Sequence, residues 1–267
     1  MQSFRTVWFA IPFTLFAFGH IPERDQSDDA RAGVPVRFAE GTTHGFLQLS
    51  TPGGATLANG DLLITAKDGL VTSRLVFHFT DSSFFEETVT FTQNRTFALR
   101  DYRLVHRGLA FPFDIDARLS SSGKYTVVST EHDDDGDDDV DRYEGTLELP
   151  ADTYNGLVIT VAKNLARGET RRVHIVGFTP KPMLIELAYV LGPTRQVSLG
   201  AHRQSATHYV LKPKLGAVTG FFAKLVGKSP PDSHVWIVTD DVPAFLRFEG
   251  PLFTGPVWRI ELAIPQL

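Results

Sequence analysis

The chain has no cysteine in 267 residues. That excludes a disulfide framework, and it excludes lipoprotein anchoring, which needs a cysteine at the cleavage site. Long apolar runs are also scarce. The longest, Thr6–Gly19, has about 14 mostly apolar residues, whereas a membrane helix needs ~20. Pro12 lies inside it. There is no dense basic patch: Arg100, Arg103 and Arg107 are spaced so that a strand does not gather them on one face, which argues against a nucleic-acid partner. No nucleophile elbow, phosphate loop, dinucleotide fingerprint or zinc helix is present.

What is present begins with an export pattern. Arg5 precedes the apolar run, and Ala17-Phe-Gly19 places small residues at the −3 and −1 positions of a cleavage site. Residues 1–19 therefore read as a signal peptide. The expected location is the periplasm or cell envelope, with membrane contact only through this segment if it is uncleaved. Residues 20–37 are polar and aperiodic and read as a linker. Residues 38–267 read as one domain. Without disulfides that domain relies on core burial, for which 42% hydrophobic residues and 21 Phe are ample.

The most concentrated chemistry is the run from Glu131 to Asp141, with eight carboxylates, one glycine and no basic residue. The whole chain has 31 acidic and 26 basic residues, so outside this run the balance is 23 to 26. Glu131, Asp133, Asp135, Asp137 and Asp139 fall at alternate positions, as oxygen ligands do in a twelve-residue Ca²⁺ loop, with Gly136 at the turn. The position that should hold a bidentate Glu is Arg142. Both flanks alternate like strands, whereas the helical Ca²⁺ loop has helices there. Two readings follow: a solvated hairpin tip, or a weak Ca²⁺ site.

Period-2 alternation dominates from Phe38 onward. Leu75, Phe77 and Phe79 share a face, as do Met183, Ile185, Leu187, Tyr189 and Leu191. Lys67-Asp-Gly69 is a hairpin signal, and a phase break at Arg100-Asp101 indicates a bulge. At least ten strand-like segments with short turns specify a mainly all-β fold: a large curved antiparallel sheet or half-open barrel with one or two short helices. One helix is expected over residues 153–165, with Asp152 as its cap and Gly168 as its stop. Residues 216–227 fit either strand or helix.

Phenylalanine is abundant. The two readings are ordinary packing and the lining of an apolar cavity inside a curved sheet. In the second, Phe221, Phe222, Phe245, Phe253 and Trp258 are the candidate ligand contacts, with Phe253 and Trp258 closing one mouth. The strand-borne histidines His78, His106, His174, His208 and His234 are the candidates for acid–base chemistry, which requires an acid partner in a cleft.

Three stretches carry a family likeness: Leu147-Glu-Leu-Pro-Ala-Asp-Thr-Tyr-Asn-Gly156, residues 216–231 with Val235-Trp-Ile-Val238, and Phe245 to Leu262. Together they resemble an uncharacterised family of exported bacterial proteins, a domain of unknown function, over roughly residues 40–265. No catalytic residue follows from that likeness. The architecture it implies is similar to the LolA/LolB lipoprotein-carrier fold, a half-open barrel that holds acyl chains. The expected function is a non-enzymatic binding or carrier protein for a lipid-like or other apolar ligand. The alternatives are an envelope-associated protein-interaction module with no small ligand, and a hydrolase.

Overall fold

The computed structural model describes residues 33–132, 138–179, 181–199, 202–214, 231–239, 241–252 and 255–263. Alternation translates into strands throughout. They are β1 (Thr43–Ser50), β2 (Thr56–Lys67), β3 (Leu70–Phe79), β4 (Phe84–Asn94) and β5 (Thr96–Arg107). Then come β6 (Asp114–Ser120), β7 (Lys124–His132) and β8 (Asp138–Thr146). After a helix, α1 (Val158–Asn164), come β9 (Arg171–Thr179), β10 (Lys181–Leu191), β11 (Arg195–Leu199) and β12 (His202–Lys214). The last are β13 (Ser233–Val238), β14 (Ala244–Gly250) and β15 (Trp258–Leu262).

All strands join one antiparallel sheet in the order β8-β7-β6-β5-β4-β3-β2-β1-β15-β14-β13-β12-β10-β9, with β11 added on β12. The first and last strands, β1 and β15, pair with each other. The sheet would be a closed ring if β8 met β9, but it is open there. The opening thus falls in mid-chain, at the connection that carries α1.

One face of the sheet is apolar and the other is charged. Leu49, Phe77, Phe85, Val89 and Phe91 are at most 2% exposed and lie on the inner face. Outward-facing neighbours form cross-strand ion pairs: Arg74–Glu86 at 2.8 Å, Arg103–Asp116 at 2.7 Å and Arg247–Glu261 at 2.6 Å. The Arg103 guanidinium engages Asp116 through two nitrogens and holds its carboxyl below the usual range. The β2–β3 turn is the expected two-residue hairpin: Asp68 and Gly69 both have positive φ, 52° and 79°, as a type I′ turn requires. The expected bulge is Arg100, which is skipped where Thr90 pairs with Asp101 and Phe91 with Leu99.

The helix is shorter than its sequence signals. Asp152–Asn155 does not start it. These residues instead run along the free edge of β9. The Tyr154 N–H donates to His174 O at 2.8 Å, and the His174 N–H donates to Asp152 O at 3.0 Å. The Asn155 amide then accepts from Val176 N–H and donates to Val176 O, both at 2.8 Å. An unpaired strand edge needs partners, and this need outweighs the local capping preference. Gly156, at φ +68°, ends the extended run, and α1 follows without a side-chain cap. A seven-residue helix rich in β-branched residues depends on tertiary packing. Leu157, Val161, Ala162 and Leu165 supply it within the single core.

The segment before β1 straps this helix in place. The Val34 N–H donates to the Tyr154 hydroxyl at 2.7 Å, and Val34 O accepts from Phe97. The Asn164 side-chain oxygen, fully buried, accepts from Arg37 N–H and Phe38 N–H. Glu40 receives Lys163 Nζ at 2.6 Å and the Thr160 hydroxyl at 3.0 Å. Residues 33–37, part of the stretch read as linker, therefore pack onto the domain. Residues 1–32, which hold the expected signal peptide, and residues 216–227 lie outside the described residues.

Candidate functional site

The inner face is largely filled by its own chain. Phe77, Phe85, Phe91, Phe97, Tyr154 and Leu157 are all buried to 2% exposure or less, and α1 lies against them in one cluster. Most phenylalanines among the described residues are thus core residues. Among the described residues an apolar concavity stays open, a recess of about 350 Å³ lined by Thr51, Pro52, Leu57, Phe79, Thr80, Asp81, Ala110, Pro256, Val257 and Trp258. It is built where four connections meet: β1–β2, β3–β4, β5–β6 and β14–β15. Trp258 is its floor, only 4% exposed. Its ring meets Phe79 at 5.4 Å and Phe111 edge-on at 6.0 Å.

Behind that floor sits His106. It is 1% exposed, and its ring stacks on Phe111 with centroids 4.4 Å apart. Burial pushes its pKa down to about 4, against smaller opposing effects of Asp114 and the Phe113 backbone. It is a neutral, core-bound imidazole.

The ligand residues expected from sequence are only partly assembled. Trp258 lies in the recess, while Phe245 pairs with Ile237 at the far end of β14. Gly250 is the residue opposite Trp258, so Phe245 is five residues, about 17 Å, from that point at ~3.4 Å per residue. The two do not share a site. Phe221, Phe222 and Phe253 lie outside the described residues. The sequence does not mark Leu57, Phe79 and Ala110 as ligand contacts, because the recess is assembled from segments that are distant in the chain.

In the acidic hairpin, Glu131 and Asp139 are exposed and pair directly across β7 and β8. Asp133, Asp135 and Asp137 lie outside the described residues. Among the described residues no group of three His, Asp or Glu converges as a metal site. His132 bonds Asp138 at 2.7 Å and lies 3.3 Å from Asp114, and Asp138 chiefly raises its pKa.

The other histidines divide by surroundings. His174 Nδ1 bonds the buried Asp152 at 2.8 Å and so locks the 152–155 segment to β9. His78 is exposed beside Phe84. His208 and His234 bond each other on the outer face, at 2.9 Å. A second, polar groove of about 390 Å³ lies over the outer face of β4–β7, lined by residues such as Thr88, Asp101, Arg103, Arg118 and Lys124.

No family model matches the sequence, and neither a curated protein nor a solved structure matches it.

Proposed function

We propose that the chain is an exported, non-enzymatic binding protein that takes an apolar or lipid-like group at the Trp258 recess. The observation that carries this reading is the recess itself. It combines apolar walls, an aromatic floor and an open mouth, which is the usual make-up of a small-ligand site. Its 350 Å³ holds roughly a dozen groups of water size. That suits one short acyl chain or a compact apolar metabolite. It does not suit several chains enclosed in the sheet, because α1 and its strap occupy the inner face.

The test is extraction of the purified chain with organic solvent, followed by mass spectrometry and titration with a fluorescent fatty acid. Ala110→Trp fills the recess from its rim. Binding that is lost in this variant while the fold is retained supports the reading. Undiminished binding refutes it.

A second reading rests on β8. Its outer edge has no strand partner among the described residues, and most of its residues are exposed. An open edge is a ready surface for another chain, and its Asp138, Asp139 and Asp141 select a basic one. That interaction module is supported if the protein carries no extractable ligand but captures a basic envelope protein in a manner that depends on those aspartates.

A further inference from the structure

We propose that His208 and His234 form a two-imidazole chelate for a divalent first-row transition metal, Cu²⁺ above the others, on the outer face of β12 and β13. The site is independent of the recess at Trp258, which opens from the other face of the sheet.

The argument starts from register. His208 pairs with Trp236, and His234 with Val210. The two histidines are therefore diagonal neighbours on one face, the relation in which long side chains on adjacent strands meet. His208 Nε2 and His234 Nδ1 are 2.9 Å apart. One hydrogen lies between them, so one ring donates and the other accepts. Metal–imidazole bonds are ~2.0–2.1 Å. With the nitrogens 2.9 Å apart, a metal that replaces the shared hydrogen would subtend about 90°, once each ring swings so that its lone pair leaves the N···N line. That angle belongs to the tetragonal geometry of Cu²⁺ or Ni²⁺, and Cu²⁺ heads the affinity order for nitrogen ligands.

Proton accounting is simple. The donating ring gives up its shared hydrogen and takes a proton from water on its other nitrogen. Two neutral rings thus bind the metal with no net release of protons, and water fills the remaining coordination positions. Both rings are partly exposed, so the metal can reach them.

The surroundings keep the pair available. Trp236 stacks on His208 with centroids 4.6 Å apart and planes 5° from parallel, which fixes the ring. The Arg247 guanidinium lies over Trp236 at 5.7 Å. Burial, then His234, then Arg195 disfavour protonation of His208, and Glu249 acts weakly the other way. Glu249 lies opposite His234 and is held by Arg259 at 2.7 Å. His208 is thereby biased toward its neutral form, the form that binds metal.

Trp236 also provides the readout. The full chain, without a polyhistidine tag, is titrated with CuCl₂ while tryptophan emission is followed. The expected result is saturable quenching at one equivalent, reversed by EDTA. His208→Gln and His234→Gln should each move the midpoint upward by about tenfold or more. His78→Gln, on β3, should leave it in place. Quenching that does not saturate, or an unchanged midpoint in a folded His208→Gln or His234→Gln chain, overturns the proposal. Should either variant fail to fold, the wild-type proton spectrum decides. Sub-stoichiometric Cu²⁺ must broaden the His208 and His234 ring signals before those of other histidines; any other order overturns the proposal.

Discussion

Tyr102 on β5 and Phe178 on β9 stack with centroids 6.0 Å apart and planes 8° from parallel. Along the sheet, nine strands lie between them. Only strong curvature brings β9 back onto the inner face of β5. This contact, with the 152–155 segment beside it, closes most of the ring and leaves β6–β8 extending beyond it. Phe178→Ala removes the stacked ring at the seam. A Phe-to-Ala change in a core costs about 3–5 kcal/mol, and urea denaturation should fall near the low end because the seam can partly relax. Hydrogen exchange should locate the loss: amides of residues 152–157 lose protection before those of β2–β4. Uniform loss across the sheet would show that the seam is not a separate unit.

His106 sets an acid limit on stability. Its pKa in the folded chain is about 4, below the ordinary 6.5. As pH falls through 6.5 the unfolded chain takes up a proton that the folded chain refuses. Stability is therefore complete above that value, declines between about 6.5 and 4, and is level below. The loss is on the order of 3 kcal/mol. His106→Phe keeps a flat ring in the stack and removes the proton site. The stability difference between pH 7 and pH 4.5 should shrink in this variant. An equal difference in both proteins would show that His106 does not titrate as its burial requires.

Glu87 acts with the opposite sign. It lies on the inner face and accepts the Tyr102 hydroxyl at 2.8 Å, and desolvation raises its pKa above the ordinary 4.5. The folded chain holds this proton more tightly than the unfolded chain. The associated stability is present below pH 4.5 and is lost as pH rises through the raised value. Glu87→Gln keeps an acceptor for Tyr102 and removes the charge. Its melting temperature should exceed that of the wild type at pH 7, and the gap should close below pH 4.5. A variant less stable than wild type at pH 7 would mean that the charged form is needed.

Much of the fold was legible because each strand carries an apolar inner face and a charged outer one. Phe77, Phe85 and Phe91 against Arg74, Glu86 and Arg103 give a period of two that no helix can satisfy. The hairpin at Asp68-Gly69 and the bulge at Arg100 have local causes and were equally readable. The helix was placed correctly but its start was misjudged, because Asp152 and Asn155 serve the edge of β9, a demand that arises only once the sheet has curved. The site was less legible still. The recess joins residues as distant as Leu57, Ala110 and Trp258, and the His208–His234 contact depends on a register between strands 26 residues apart. Neither leaves a mark in local spacing.

Asn155 gives the sharpest test of how the opening is sealed. Its side-chain oxygen accepts from the Val176 N–H and its side-chain nitrogen donates to the Val176 carbonyl, and all these groups are buried. The amide thus imitates one residue of a neighbouring strand where the backbone of 152–154 has already turned away. Asn155→Ala leaves both backbone groups of Val176 without partners in an apolar setting. Each unsatisfied group costs about 1–3 kcal/mol, so the variant should lose at least 2 kcal/mol or so in urea. Asn155→Asp is the informative companion. It keeps the acceptor for the Val176 N–H but sets a carboxylate against the Val176 carbonyl. Its deficit should be large at pH 7 and smaller at pH 4, where a protonated carboxyl can donate to that carbonyl. If the Asp variant is equally unstable at both pH values relative to wild type, the amide acts by shape and not by its paired hydrogen bonds.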